Sequence, residues 1–376
     1  MRIIPVYLPQ FHQIPENDEW WGKGFTEWTN VKQAKPLYDG HNQPRVPLNQ
    51  NYYDLSDVET LKWQCNLAKE YGIFGFCMYH YWFNGHLLLQ RPMEMLLAHP
   101  EIDINYCISW ANHDWTDGWK HSEEKIKVLI AHDFNDEKDW VNHFNYLLPF
   151  FKDPRYIREN NKPIMVIYIP NIIHKLNKML DLWTKMAQEN GLDGLTYIYQ
   201  SAASSFDKTW DRSRFTYGVE MNPGYANMYS GRGPRLRFPV LIKYSHELKS
   251  LLGIKRNLSF NPRPTEVKRQ SYDKVWQDVL RIRPQGEKMI PCAFTDWDNT
   301  PRHGIRGSVM DGTNPISFKK YFAQLVRNTK MYYDTDMIFV FAWNEWAEGG
   351  YLEPDEKWEY GFLKAIQEVL KEEDKG

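Results

Sequence analysis

The segment most suggestive of chemistry is Phe341-Ala-Trp-Asn-Glu-Trp-Ala-Glu-Gly-Gly350, where an apolar run leads straight into two carboxylates, Glu345 and Glu348. On a continuing strand, positions three apart would face opposite sides. If the chain curls into a helical turn at Asn344, the two share one face with Cβ atoms roughly 5–6 Å apart. Two carboxyl groups held that way can divide the acid and base roles of glycosidic-bond chemistry. Their mutual repulsion also pushes their pKa values apart, which keeps one protonated near neutral pH. The competing reading makes Glu345 the partner of an arginine and Glu348 a cap on the following loop.

Other constellations are weaker. His80 with His86, or His12 with His41, could be imagined as metal ligands, but no HExxH or similar spacing accompanies them, and no metal or other cofactor is expected. A serine nucleophile in GxSxG is absent. Arg302 either clamps an anionic group of a substrate or pairs with Asp298. Arg232, Arg235 and Arg237 could meet an anionic polymer, but read first as a solvated basic loop.

Aromatic residues make up 15% of the chain, with 16 Trp and 23 Tyr, and they cluster with polar residues rather than at helical spacing. Examples are Trp20-Trp21, Tyr79-His-Tyr-Trp-Phe83, and Trp110 with Trp115 and Trp119. Flat rings interleaved with Asn, Asp, His and Gln suit sugars, which present apolar C–H faces and hydroxyl edges; the plainer alternative is a core built of large rings.

The elements that must position these groups alternate. Strand candidates are Ile3–Leu8, Ile73–Tyr79, Ile104–Ser109, Pro163–Tyr168, Leu195–Tyr199, Tyr217–Met221, Met289–Phe294 and Ile338–Trp343. Several are nearly continuous in apolar residues, as strands buried on both faces require. Helix candidates between them are Asp54–Tyr71, Leu87–His99, Asp136–Lys152, Asn171–Asn190, Tyr272–Arg283, Ser317–Tyr333 and Trp358–Glu372. The series predicts an α/β fold, a (β/α)8 TIM barrel with long loops on the C-terminal face, spanning 1–376 as one catalytic domain. An open doubly wound sheet lacks its Gly-rich phosphate loop after the first strand. The stretch from Asn222 to Pro264 reads as a long loop excursion with one helix-like piece near Val240–Leu252.

In such a barrel, active residues gather where strands end. Those positions hold Gln10 and His12; Tyr79, His80 and Trp82; Trp110, Asn112, His113 and Asp114; Glu220 and Asn222; Asp296, Trp297, Asp298 and Asn299; and Asn344, Glu345, Trp346 and Glu348. The net charge of -2 argues against a nucleic-acid partner. No apolar run approaches the roughly 20 residues needed to span a bilayer. The N-terminus lacks a signal-peptide pattern, and four scattered cysteines without CxxC fit a reducing cytoplasm.

A family resemblance enters at these residues. Tyr7-Leu-Pro-Gln-Phe-His12, Trp20-Trp-Gly-Lys-Gly-Phe-Thr-Glu-Trp28, Gly40-His-Asn-Gln-Pro44, Phe76-Cys-Met-Tyr-His-Tyr-Trp-Phe83, Ser109-Trp-Ala-Asn112, Trp297-Asp-Asn-Thr-Pro-Arg302 and Trp343-Asn-Glu-Trp-Ala-Glu-Gly349 with Leu352-Glu-Pro-Asp355 span nearly the whole chain. In that order they resemble the WbsX-type polysaccharide-biosynthesis proteins, whose domain is similar to glycoside hydrolase family 99. The resemblance implies a (β/α)8 barrel without a metal. It implies that Glu345 acts as general base on the sugar's own 2-hydroxyl and Glu348 as acid/base on the leaving oxygen. Net retention then passes through a 1,2-anhydro sugar. The expected substrate is an α-linked, mannose- or rhamnose-like sugar of a bacterial surface polysaccharide such as O-antigen. Expected substrate-binding residues are Tyr7, Gln10, His12, Trp28, Tyr79, His80, Trp82, Trp110, Asn112, Asp296, Trp297, Arg302, Asn344 and Trp346. The segment His113-Asp-Trp-Thr-Asp-Gly-Trp119 departs from the family pattern, which carries a glutamate and then arginines there. Alternatives are a glycosyltransferase or transglycosylase, and a glycan-binding module without turnover. Asp296-Trp-Asp298 resembles a transferase DxD, but the family pattern explains it better.

Overall fold

A computed structural model of the chain describes residues 1–118, 126–232 and 264–373. Its centre is a closed ring of parallel strands: β1 (Arg2–Tyr7), β2 (Gly75–Phe83), β3 (Asn105–Trp110), β4 (Lys162–Ile167), β5 (Thr196–Tyr199), β6 (Phe215–Val219), β7 (Met289–Ile290 with Cys292–Phe294) and β8 (Met337–Phe341). Each pairs with its sequence neighbours, and β8 returns to β1 in register from Arg2↔Met337 to Pro5↔Val340. Closure rules out the open doubly wound sheet. The fold is a (β/α)8 barrel, and the buried apolar runs are what such strands need, because helices cover their outer faces.

Two strands differ from the sequence expectation. The seventh is divided at Pro291: Met289–Ile290 pairs with β6, and Cys292–Phe294 pairs with β8. The second continues past Tyr79 to Phe83, because Tyr81–Phe83 pairs antiparallel with His86–Leu88. That hairpin delays the next helix, which spans Arg91–Ala98 rather than starting at Leu87. The remaining barrel helices lie close to their expected places, at Val58–Glu70, Glu137–Lys152, Leu176–Glu189, Tyr272–Arg281, Pro315–Tyr332 and Gly361–Glu373. Asp57, Asp136, Ser271 and Asn314 cap four of them by accepting a backbone N–H in the first turn.

The loop after β1 holds two short helices that periodicity did not announce, Pro15–Trp21 and Glu27–Gln33. After β6 comes a short helix, Gly224–Tyr229. The expected helix near Val240–Leu252, together with Arg235, Arg237 and Trp119, lies outside the described residues. Arg232 is ion-paired with Asp278. No helix among the described residues is long and apolar enough to cross a membrane. All four cysteines are free and buried.

Candidate active site

β8 delivers the glutamate pair through a tight turn. Asn344–Glu345 pairs antiparallel with Gly350–Tyr351, and Trp346–Glu348 forms one 3-10 turn between them. Asn344 fixes this turn to the end of β1: its amide accepts from Leu8 N at 2.8 Å and donates to Leu8 O at 3.0 Å. The two glycines are structural necessities. Gly349 has φ of 72°, and a Cβ there would sit 2.8 Å from the backbone N of Asp298. A Cβ on Gly350 would meet the Phe341 ring at 2.4 Å. This close approach lets Asp298 N donate to Glu348 O at 2.7 Å, tying the seventh and eighth loops together.

Arg302 gathers the carboxylates. Its Nη1 donates to Glu348 Oε1 at 2.7 Å, and its Nη2 lies 3.3 Å from Glu345 Oε2 and 3.1 Å from Glu27 Oε2. The expected alternative pairing of Arg302 with Asp298 does not occur. Asp298 instead accepts from His41 Nε2 (2.9 Å), Gln43 Nε2 (2.7 Å) and the Thr300 hydroxyl (2.6 Å). Burial alone would raise its pKa; those donors and the nearby Arg45 hold it well below the carboxylate range. Asp298 thus anchors the loop that presents Arg302.

Glu345 is 6% exposed. Burial pushes its pKa up to about 8; Arg302 opposes this, while Glu348 and Glu27 add to it. Burial therefore favours the protonated form of Glu345, while Glu348 accepts from the guanidinium. Two carboxyl groups held side by side in different surroundings are able to divide the acid and base roles of glycosidic-bond chemistry.

The carboxylates open on a cavity of about 430 Å³. Trp21, Phe25, Tyr79, Tyr81, Trp115 and Tyr168 give it aromatic walls; Gln10, Asn17, His113 and Asp114 give it polar ones. Gln10 Nε2 donates to Tyr81 Oη at 3.1 Å, and Gln200 Nε2 donates to Tyr79 Oη at 2.9 Å, so both tyrosines are held in place. Among the described residues, no group of three His, Cys, Asp or Glu is arranged to hold a metal ion.

Of the residues singled out in the sequence, Gln10, Tyr79, Arg302, Glu345 and Glu348 line this cavity, with His113 and Asp114. The other expected binding residues do not, and each has a partner that explains its position. Tyr7 turns outward and donates to Gln64 at 2.7 Å. His12 is buried near Asp54. Trp28 donates to Tyr53 O at 2.8 Å, with its ring 4.6 Å from Phe11. His80 Nε2 lies 2.9 Å from His143 Nε2, and burial brings its pKa down to about 3. Trp82 stacks on His143 at 4.7 Å, and Trp110 packs edge-on against it. Asn112 brackets the backbone of Ile169 with two 2.8 Å bonds. Asp296 pairs with Arg45 at 2.7 Å. Trp297 donates to Ser308 at 3.0 Å, behind Phe341. Asn344 clamps β1, as above. Trp346 stacks on Tyr351 at 3.9 Å and donates to Glu353 at 2.7 Å, so that ring is occupied inside the fold. Glu220 accepts from Tyr333 at 2.8 Å, away from the cavity.

The sequence reading did not name Glu27, Tyr168 or Asn17 as site residues, and it named Trp21, Tyr81 and Trp115 only within aromatic clusters. Glu27 carried a signal: it sits inside the Trp20–Trp28 motif, the one acidic residue between Thr26 and Trp28. Tyr81 follows from alternation once β2 is known to continue.

Comparisons with known proteins agree with this architecture. The model of a family described as "Glycosyltransferase WbsX" matches residues 3–366. Two proteins named WxcX, from Xanthomonas campestris pv. campestris strains B100 and ATCC 33913, are each 30% identical over 98% of this chain, and the chain spans 49% of their length. Among solved structures, the GH99 endo-alpha-mannosidase from Bacteroides thetaiotaomicron superposes with a TM-score of 0.55 at 11% identity, covering 100% of this chain and 98% of that one. Its complex with BIS-TRIS-Propane gives 0.54 at 12% identity, covering 100% and 97%. At such identity the likeness is one of fold.

Proposed function

The chain belongs to the WbsX glycosyltransferase family, and from that premise we propose that it is a carbohydrate-active enzyme whose Glu345–Glu348 pair acts on α-linked, manno-configured sugars of a bacterial surface polysaccharide. The observation that carries the proposal is the guanidinium of Arg302 holding Glu345, Glu348 and Glu27 at one side of an aromatic-walled cavity.

In the proposed reaction Glu345 accepts the proton of the sugar's 2-hydroxyl as O2 attacks C1. The C1–O bond to the leaving group breaks, and that oxygen takes a proton from Glu348. Water or a sugar hydroxyl then opens the 1,2-anhydro ring at C1, giving its proton to Glu348 while O2 recovers a proton from Glu345. Two inversions at C1 give net retention. A manno configuration fits because O2 lies trans to an α-leaving group. Tyr79, Tyr81 and Trp115 would face the sugar's C–H surfaces, and Gln10, Asn17 and His113 its hydroxyls.

One observation favours exchanged roles. Burial raises the pKa of Glu345 to about 8, and a proton favoured there would pass to the leaving oxygen. Leaving-group dependence separates the two assignments, because loss of the acid is tolerated when the leaving group needs no proton.

A transfer reaction keeps the same site, and the family's description favours it. The described cavity lining sets Glu27, Glu345, Glu348 and Asp114 against Arg302. Burial lowers the pKa of His113 and His303, so neither adds reliable positive charge. This balance suits a glycoside donor better than a nucleoside diphosphate. The test is product analysis on α-mannosyl and α-rhamnosyl oligosaccharides, with and without an acceptor sugar. Retained-configuration products that vanish in E345Q and E348Q are expected. Undiminished turnover in either variant would refute the proposal.

A further inference from the structure

A second feature of sugar-binding character lies outside the catalytic cavity. Two open clefts, of about 500 and 670 Å³, meet at the rings of Trp63 and Tyr360. The upper cleft is formed by the loops after β1 and β8: Leu48 N donates to Pro354 O at 3.0 Å, and Pro354 follows Glu348 within the same loop. It therefore starts on the face of the barrel that carries the glutamates. The lower cleft continues down the flank along the Val58–Glu70 helix to Tyr71, whose ring runs parallel to Tyr360 within 8°.

The lining has the composition of a saccharide groove. Trp63 and Tyr360 are half-buried, so part of each ring meets solvent at the clefts, with Tyr360 also stacked on Tyr71. Amide side chains flank them: Asn49 and Gln50 above, Asn66 below, all exposed. Asn49 and Gln50 are also consecutive non-glycine residues in the left-handed region, with φ of 57° and 53°. That conformation costs free energy and persists because Asn49 N donates to Glu356 at 2.7 Å and Gln50 N to Pro47 O at 2.8 Å. It projects two amides at the lip of the cleft. The lower cleft carries Glu59, paired with Lys62 at 2.9 Å, and a second carboxylate, Glu70, a balance that does not attract a polyanion.

From this placement we propose that the Trp63–Tyr360 groove is a second glycan-binding site, which holds a neutral polysaccharide chain against the barrel flank while another part of the polymer occupies the catalytic cavity. The inference rests on the carbohydrate reading of the cavity for its choice of ligand. Its two lining carboxylates, Glu59 and Glu70, are exposed to solvent, so the role proposed for it is retention of long substrates rather than chemistry.

The test is affinity electrophoresis of the full chain in gels containing yeast α-mannan or an α-linked rhamnan, alongside turnover of an aryl α-mannoside. Trp63→Ala removes the central ring; Asn66→Arg blocks the lower cleft from an exposed position, where folding is not at risk. Each should weaken polymer retention by about tenfold, the usual reach of a tryptophan anchor. Thermal melting should be unchanged for Asn66→Arg, and aryl-glycoside kcat/KM should stay within about twofold for both variants. Retention equal to the wild type in both variants overturns the proposal, as does parallel loss of aryl-glycoside turnover. Failure of the wild type to be retained by either polymer overturns it too, and a partner protein that competes for Trp63 would then be the occupant. If the wild type is retained through Trp63 but turns over no glycoside, the catalytic reading fails while the groove stands.

Discussion

Glu345 and Glu353 lie in the same loop, both are buried, and burial raises both pKa values, to about 8 and about 7. Their surroundings otherwise differ. Glu353 accepts from Gln64 (2.7 Å), the Tyr53 hydroxyl (2.8 Å) and Trp346 Nε1 (2.7 Å), and lines none of the cavity. Glu345 accepts from Arg302 at 3.3 Å, has Glu348 and Glu27 as neighbours, and lines the cavity wall. Burial and a raised pKa therefore do not distinguish a chemical carboxylate from a structural one. Unused hydrogen-bonding capacity facing a cavity does.

The largest expected effect follows from the Glu345 side of this contrast. Glu345→Gln should cut turnover by about a thousandfold, the scale of lost acid–base catalysis, with melting temperature little changed. Steady-state rates and a thermal melt together check it. Glu353→Ala should do the reverse. It strands three buried donors and opens a cavity, costing about 2–4 kcal/mol in urea unfolding, while the folded fraction keeps its activity. If Glu353→Ala abolished turnover in fully folded protein, the contrast would break.

Arg302→Lys keeps the charge but cannot reach three carboxylates with a planar fork. A loss of roughly tenfold in kcat is expected, with the upper limb of the pH–rate profile moved upward for the carboxylates that the shorter-reaching ammonium no longer contacts. The contrast also has a pH signature. Above its ordinary pKa of 4.5 an unfolded glutamate has lost its proton, while folded Glu345 keeps one up to about 8. The folded state then binds the extra proton, so stability falls as pH rises from 4.5 towards 8 and levels off above. Glu345→Gln and Glu353→Gln should each make that fall shallower, which unfolding at a series of pH values would show. The smallest effect is expected at Trp297. Trp297→Phe loses one bond to Ser308 and should cost about 1 kcal/mol with activity intact, because the ring lies behind Phe341.

Much of the fold was legible because strands buried on both faces must be apolar, and several of the barrel strands announced themselves as such runs, the sixth least clearly. The division at Pro291 and the hairpin at His86–Leu88 were not, since both depend on partners distant in the chain. The proximity of the two glutamates was readable from spacing, but the helical turn expected at Asn344 begins two residues later, at Trp346, because Asn344–Glu345 still pairs with Gly350–Tyr351. Orientation was where residue type misled. Along Tyr79-His-Tyr-Trp82 the strand alternates, so Tyr79 and Tyr81 face the cavity while His80 and Trp82 pack against His143. Trp346 follows Glu345 directly yet points into the fold, onto Tyr351. A polar or aromatic residue at a strand end is equally suited to supporting a site and to lining it; only the register of the turn decides. Glu27 stayed hidden because the short helix carrying it shows no periodicity of its own.

The central claim is that Glu345 and Glu348 divide acid and base duties on a sugar, and the leaving-group dependence of the two Gln variants tests it most directly. Rates would be measured on aryl α-mannosides with a nitrophenol and with a far less acidic phenol. The account predicts that one variant is slow on both, and that the other recovers most of its rate on the nitrophenol alone. Two variants with full rates, or with losses that ignore the leaving group, would contradict it.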